Sequence, residues 1–396
     1  MDIESDEQVL VCGSGECEQL GIPNVFNARK PRLLKLPESV TMIACGSMHT
    51  LALTSEGRVY SWGCNDDGAL GRIGEENIPM LISGVEFITK VTAGDSHSIA
   101  LSANTRKLYS WGTYRNSQGN MEIGHKFPIE IGSDEFKKSK LIKDIVSGAN
   151  HSLILADNRV YAWGDSEFGQ IGRMPRSRKS IAHSLQIESI GMKNIEHIYS
   201  GKNHSFAKSS NNKVYGWGLN NFGQLGDGST KNTCVPHEIF ELRNLDIQYI
   251  TGGDNHTLAL LQNGRVLIWG RNDDYQLGLN TTESHYTPQE IPSLTNVRKI
   301  ACGPHFNFAI TSTQRIYSWG FGDTYVLLNG KEKNVSMPTL VAWSVAKPIE
   351  EISAGSQHVV TLMNPAVLTL PDIKSLNLKR KISPPRSTNK RPKKAH

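Results

Sequence analysis

The chain has 396 residues, 38% of them hydrophobic, and a formal net charge of +5. No run of eighteen apolar residues occurs, which excludes a membrane-spanning helix, and the acidic start Met1–Glu7 lacks an apolar stretch behind basic residues, so it is not read as a secretory signal. The positive balance is local: residues 379–396 hold eight Lys or Arg and no acid, while the rest carries 35 basic against 38 acidic side chains, which argues against a basic nucleic-acid-binding body.

After the acidic extension 1–7, the stretch V-L-V-C-G-S-G-E-C-E-Q-L-G from Val9 reads as the second half of a repeat, with Cys12 where later copies have Trp. Six Trp-Gly pairs follow, at Trp62, Trp111, Trp163, Trp217, Trp269 and Trp319, spaced 49, 52, 54, 52 and 50 residues apart. Each ends a strand-like run such as R-V-Y-S-W-G at Arg58. Most lead into a G-x-L-G type of turn, as at Gly68–Gly71, Gly169–Gly172, Gly223–Gly226 and the variant Tyr275–Gly278. Upstream of each pair stands G-x-x-H before an apolar run: Gly46/His49, Gly94/His97, Gly148/His151, Gly201/His204 and Gly253/His256; at Gly303 the His place is taken by Phe306. A Pro with alternating apolar residues recurs near Pro79, Pro128, Pro236, Pro288 and Pro338. Four short β-rich runs per unit of about 50 residues, separated by Gly, Asn and Asp turns, are the arithmetic of a propeller blade. The last copy, Gly355/His358, has the first half of a repeat and no Trp-Gly. Two half repeats at opposite ends complete one blade, so the expected fold is all-β: a seven-bladed propeller over 8–364, closed by its own termini. Closure removes the exposed sheet edges. A linker, 365–378, and a disordered basic tail, 379–396, complete the expected division.

A His, Trp or Gly that recurs once per blade is expected to build the ring: Trp by buried area, Gly by permitting tight turns, His by pinning its loop. No G-x-x-x-x-G-K-[ST], H-E-x-x-H or G-x-S-x-G motif occurs, so no covalent enzyme, cofactor or metal site is expected. The six cysteines form no C-x-x-C pair and are expected to be reduced, buried thiols. Function is sought where a repeat departs from its siblings. One departure is Y-S-W-G-T-Y-R-N-S-Q-G from Tyr109, leading into Pro128–Asp134; another is the basic cluster Arg173, Arg176, Arg178 and Lys179; the third is the tail.

The combination of G-x-x-H-T-L-A-L, V-Y-S-W-G-C-N-D-D-G-A-L-G, A-G-D-S-H and W-G-T-Y-R-N resembles the regulator of chromosome condensation family, whose members are exchange factors for the Ran GTPase. The resemblance covers about residues 8–364 and is similar to fungal-type members in G-W-G-L-N-N-F-G-Q-L-G from Gly216. It implies a monomer that grips a Ran-type small GTPase with one face, releases its nucleotide without covalent chemistry, and associates with chromatin in the nucleus, supporting nucleocytoplasmic transport and mitosis. By position, the family's wedge into the nucleotide site would be Ile129 to Phe136, so Ile129, Glu130, Ile131, Gly132, Ser133 and Asp134 are expected contacts. Glu16, Asp95, Arg115, Asn116, Asn150, Asp254 and Asn255 complete the expected GTPase-binding set. Asn116 and Asn150 stand where animal members have Asp, and Asn255 where they have a functional His. The basic cluster at Arg173 is the expected contact to DNA or histone charge.

Lys379-Arg380-Lys381 and Lys390-Arg391-Pro392-Lys393-Lys394 read as a bipartite nuclear import signal, implying an import receptor as partner and no membrane. Ser383, before Pro384, is a candidate phosphorylation site. The alternative reading is a scaffold of the same superfamily that binds other nuclear proteins and catalyses no exchange.

Overall fold

The computed structural model describes residues 8–102, 104–116, 118–132, 141–173, 187–342 and 348–363. These residues form seven four-stranded antiparallel sheets. The blades are numbered here by their innermost strands: Val40–Cys45, Lys90–Ala93, Ile142–Ser147, Ile195–Ser200, Ile247–Gly252, Val297–Cys302 and Ile349–Ala354. Neighbouring innermost strands touch all the way round, the seventh against the first included. Blade seven is shared between the termini: Val9–Ser14 pairs with His358–Met363, Val9 opposite Leu362 and Gly13 opposite His358. The ring thus closes as the half repeats require.

In six blades the second strand, such as His49–Thr54 or His151–Ala156, is buried along its whole length, and in blade four only Lys208 is half-buried, because neighbouring blades cover both of its faces. The third strand carries the Trp, and all six are 0–1% exposed. Pro128, Pro236, Pro288 and Pro338 lie in outermost strands, where a missing backbone donor costs least.

Polar groups inside the ring follow one rule. The His of one blade bonds the hydroxyl or amide that follows the His in the next: His49 to Ser98 (2.9 Å), His151 to Ser205 (2.8 Å), His204 to Thr257 (2.8 Å), His256 to Asn307 (2.7 Å) and, across the closure, His358 to Thr50 (2.9 Å). Ser98, Ser205 and Thr257 donate onward to the turn carbonyls of Ala69, Gln170 and Gln224, and the next Trp donates to the same carbonyls. A hydroxyl has one proton, and it goes to the carbonyl. The imidazole must therefore donate from Nε2. The Trp packs so closely that a Cβ at Gly71 would lie 2.7 Å from Trp111, and Gly71 also has φ +67°. Only glycine satisfies both demands.

The interface between blades six and seven breaks this rule throughout. Phe306 stands in the His place, Cys12 in the Trp place and Leu328, at φ 59°, in the Gly place. All three belong to one apolar cluster with Phe308, Val326 and Leu327. The cysteines depart from expectation: Cys12 is buried, but Cys17 is exposed and the other four are half-buried. Cys45 and Cys302 end innermost strands and face the central channel, which a ring of seven strands leaves open.

Antiparallel alternation sorts the loops onto two faces. One face carries the six G-x-x-H loops, the equivalent Gly303–Phe306 loop and the loops that follow each Trp-Gly. The other carries the turns between second and third strands and the connections from blade to blade.

Candidate functional site

The G-x-x-H loops form a collar around the axis. Asp95 N–H donates to Ala149, Ala149 N–H to Lys202, Lys202 N–H to Gly253 and Asp254 N–H to Pro304, at 2.8–3.0 Å. The collar presents the residue after each Gly to the mouth of the channel. Three of these are charged. Lys202 Nζ lies 3.1 Å from Asp254 and 3.9 Å from Asp95. Burial works against the ammonium, but the two carboxylates outweigh it and hold the Lys202 pKa above its ordinary value. Burial raises the Asp95 carboxyl, with Asp254 adding to the shift and Lys202 opposing it. His305 stands 3.8 Å from Asp254.

Blade two raises a hairpin beside this collar. In its siblings the third strand stops at the Gly after Trp; here it runs on through Thr113, Tyr114 and Arg115, and the partner strand begins at Met121. Met121 pairs with Arg115 and Ile123 with Tyr114. The tip is set by Asn116, whose side-chain carbonyl accepts the N–H of Gln118 and of Asn120, both at 3.0 Å. The stem is held from both sides. The Arg115 guanidinium pairs with Asp67 of blade one, with Nε at 3.2 Å, and the Arg115 N–H donates to the Asn150 side chain of blade three at 2.8 Å. Burial works against the Asp67 carboxylate, but Arg115 outweighs it and holds the Asp67 pKa below the usual range. Met121, 60% exposed, stands at the tip.

The structure therefore gathers Asp95, Arg115, Asn116, Asn150, Asp254 and Asn255 around one collar. Glu16, exposed in the upper loop of blade seven, lies on the same face. Arg173 is there too, just past Gly172 in the blade-three loop; Arg176, Arg178 and Lys179 lie outside the described residues, as do the tail residues. Ile129, Glu130 and Ile131 are elsewhere. They pair with Ser110, Tyr109 and Leu108 in the outermost strand of blade two, and Ile131 is buried in the core between blades two and three. Gly132 follows them onto the opposite face, and Ser133 and Asp134 lie outside the described residues. This separation places Ile129–Ile131 of the expected wedge away from the collar. The alternating residues before Gly132 are needed to finish a sheet, and antiparallel pairing sends the chain away from the collar. Reasoning from sequence missed Asp67, Tyr114 and Lys202; the signal available for Lys202 was its place after the Gly, where its siblings are Ser, Asp, Ala or Pro.

Comparison with known proteins agrees with this architecture. The RCC1-like domain matches residues 8–361. The regulator of chromosome condensation of Homo sapiens is 31% identical over 383 residues, covering 90% of this chain and 90% of that protein. The guanine nucleotide exchange factor SRM1 of Saccharomyces cerevisiae is 31% identical over 400 residues, covering 84% and 82%. The crystal structure of Prp20p from Saccharomyces cerevisiae, described with its binding to Gsp1p and histones, superposes with a TM-score of 0.84 at 28% identity over 94% of each chain. The same yeast protein is also known bound to Kap60. With a match that spans every blade and relatives above 30% identity along nearly their whole length, the chain belongs to the RCC1-like domain family.

Proposed function

We propose that this chain is a guanine-nucleotide exchange factor for a Ran-type small GTPase, working at chromatin in the nucleus. The observation that carries the reading is the blade-two hairpin, clamped between Asp67 and Asn150 on the face that holds Asp95 and Asp254. A rigid, narrow element beside a polar collar is suited to enter a partner's nucleotide site while the collar holds the partner's surface. The names of the yeast relatives support the activity, and Prp20p's binding of Gsp1p supports the partner class. The wedge is assigned here to Thr113–Met121.

Such a factor makes and breaks no bonds. It stabilises the nucleotide-free GTPase, and by reciprocity nucleotide weakens the factor's grip by the same ratio that the factor weakens nucleotide binding. The direction of net exchange comes from the nucleotide supply. The histone contact is assigned to Arg173, Arg176, Arg178 and Lys179, and import to the two tail clusters read by an import receptor, by analogy with Prp20p's histones and Kap60.

The test is release of a fluorescent GDP from the GTPase. The wild-type chain is expected to accelerate it, and replacing Arg115–Asn120 by a Gly-Gly turn is expected to reduce the acceleration by roughly a hundredfold, the scale of losing a desolvated polar contact set at an interface. Replacing residues 133–136 with Gly and Ser is expected to leave exchange unchanged. No acceleration by the wild type would favour the scaffold reading, which the neutral Asn150 and Asn255 otherwise support. Loss on changing 133–136 alone would return the wedge to that segment.

A further inference from the structure

Five of the six Trp-Gly indoles donate to a turn carbonyl of the preceding blade: Trp62 to Gln19, Trp111 to Ala69, Trp217 to Gln170, Trp269 to Gln224 and Trp319 to Gln276, at 2.8–3.2 Å. Trp163 is the exception. Its Nε1 is buried without a hydrogen bond of good geometry. The carbonyl it would use belongs to the turn of blade two, and that turn has been spent on the hairpin. Ser152 loses the same acceptor.

Tyr114 fills the gap. Its hydroxyl lies 3.2 Å from Ser152 Oγ and 3.5 Å from Ser110 Oγ, and it faces the Trp163 indole. Its ring stacks on His97, with centroids 3.9 Å apart and planes 19° from parallel. Tyr114 is 2% exposed. It is also the residue directly before Arg115, so whatever fixes Tyr114 fixes the stem of the hairpin.

We infer that Tyr114 is a positioning residue for the wedge: its hydroxyl replaces the missing turn carbonyl between blades two and three and locks the hairpin stem to the ring. The inference rests on the proposed exchange function for its consequence, but not for its geometry. Burial pushes the phenol up to about 12, so the hydroxyl keeps its proton and can both accept from Ser152 and donate to Ser110. Elsewhere the equivalent bonds only join blades; here the same slot also sets the direction of a projecting element.

Two variants separate positioning from general stability. Tyr114→Phe keeps the stacked ring and removes only the hydroxyl. Ser205→Ala removes the equivalent bond between blades three and four, far from the hairpin. Each removes a hydroxyl that makes two buried hydrogen bonds, and the two are expected to lower the melting temperature to a similar degree. In hydrogen exchange, the amides of Tyr114, Arg115 and Met121 are expected to open about tenfold faster in Tyr114→Phe and at the wild-type rate in Ser205→Ala, the scale of one buried bond. In the GDP-release assay, Tyr114→Phe is expected to lower kcat about tenfold with little change in KM, because the collar still binds the partner. Hairpin amides that open alike in both variants would overturn the inference, whatever the assay shows. A loosened hairpin with unchanged kcat in an active protein would also overturn it, since the stem would then not matter to exchange. A wild type that exchanges nothing would sink the proposed function and leave the amide measurement to decide the lock.

Discussion

Between pH 7 and pH 5 the ring is expected to lose on the order of 10 kcal/mol of folding stability. The cause is six buried imidazoles, His49, His97, His151, His204, His256 and His358, each at most 1% exposed. Burial lowers every one: His49 and His256 to about 4, His151, His204 and His358 to about 3, and His97 well below its ordinary value, with His49 and His151 adding to the shift. The geometry explains why. Each donates from Nε2 to a neighbour's hydroxyl or amide oxygen, and a second proton would have to sit on Nδ1, which has no partner in His151, His204 or His358. A depressed folded pKa means that the unfolded chain binds protons the folded ring refuses. Stability is therefore full above the unfolded value near 6.5 and falls as pH drops toward 4, by about 1.4 kcal/mol per pH unit for each His. Glu351, raised by burial to about 6, works in the opposite direction, and one such group offsets only about 1 kcal/mol by pH 5. His237, held up by its bond to Asp227, also gains as pH falls. Against a typical total of about 5–15 kcal/mol, the six-fold loss is enough to unfold the protein. Denaturant midpoints measured from pH 7.5 to 5 should fall steeply, with several protons taken up on unfolding. Blade six shows what relieves this, since Phe306 occupies the slot and takes up no proton on unfolding. His151→Phe should flatten the slope by one proton even where it lowers stability at pH 7.5. A midpoint that stays level down to pH 5 would show that the imidazoles are charged or solvated in the folded ring.

The same repeats explain what could be read from the sequence. A residue that recurs with the blade period is fixed by the ring, so Trp62, Gly71, His151 and their equivalents, and the meeting of the two half repeats, were all legible. The site was half legible. Asp95, Asn150 and Asp254 stand beside a landmark Gly and His, so their positions on the collar follow from register alone. The hairpin was not legible, because T-Y-R-N reads as a loop unless Tyr114 is known to fill a slot vacated by a carbonyl two strands away. Pro128–Ile131 misled for a complementary reason. Alternating apolar residues in an irregular repeat look like an insertion, but Ile131 is demanded by the core between blades two and three. Asp67 and Lys202 were missed because each acquires meaning only from partners in other blades.

The seam between blades six and seven gives the largest expected effect from a single substitution. At five of the other interfaces a Trp needs a Gly beside it: a Cβ would approach the ring to 2.7 Å at Gly21, Gly71, Gly226 and Gly278 and to 3.0 Å at Gly172. At the seam Cys12 replaces the Trp, and Leu328 replaces the Gly despite a left-handed φ of 59°. The side chain of Leu328 fills space that an indole would take. Cys12→Trp is therefore expected to cost about 3 kcal/mol or more, through overpacking against Leu328, Val326 and Phe308. Leu328→Gly is expected to cost about 2–4 kcal/mol for the cavity, less the strain of a left-handed Leu that it relieves. Together the two restore the arrangement that works elsewhere, so the double variant should be more stable than Cys12→Trp alone, with a coupling energy of about 2 kcal/mol. Denaturant unfolding of the four proteins measures this cycle. Additive losses would mean that the Trp-for-Cys and Gly-for-Leu exchanges do not share one volume. Because Cys12 lies on the N-terminal strand and Leu328 in blade six, coupling between them would also show that the first strand is seated in the folded ring. The closure would then be held by an apolar fit as well as by the Val9–Leu362 pairing. That fit explains why this one interface abandoned the polar relay: a strand that must find its place from the far end of the chain gains more from a dry, shape-specific socket than from buried hydrogen bonds, which are costly until every partner is in position.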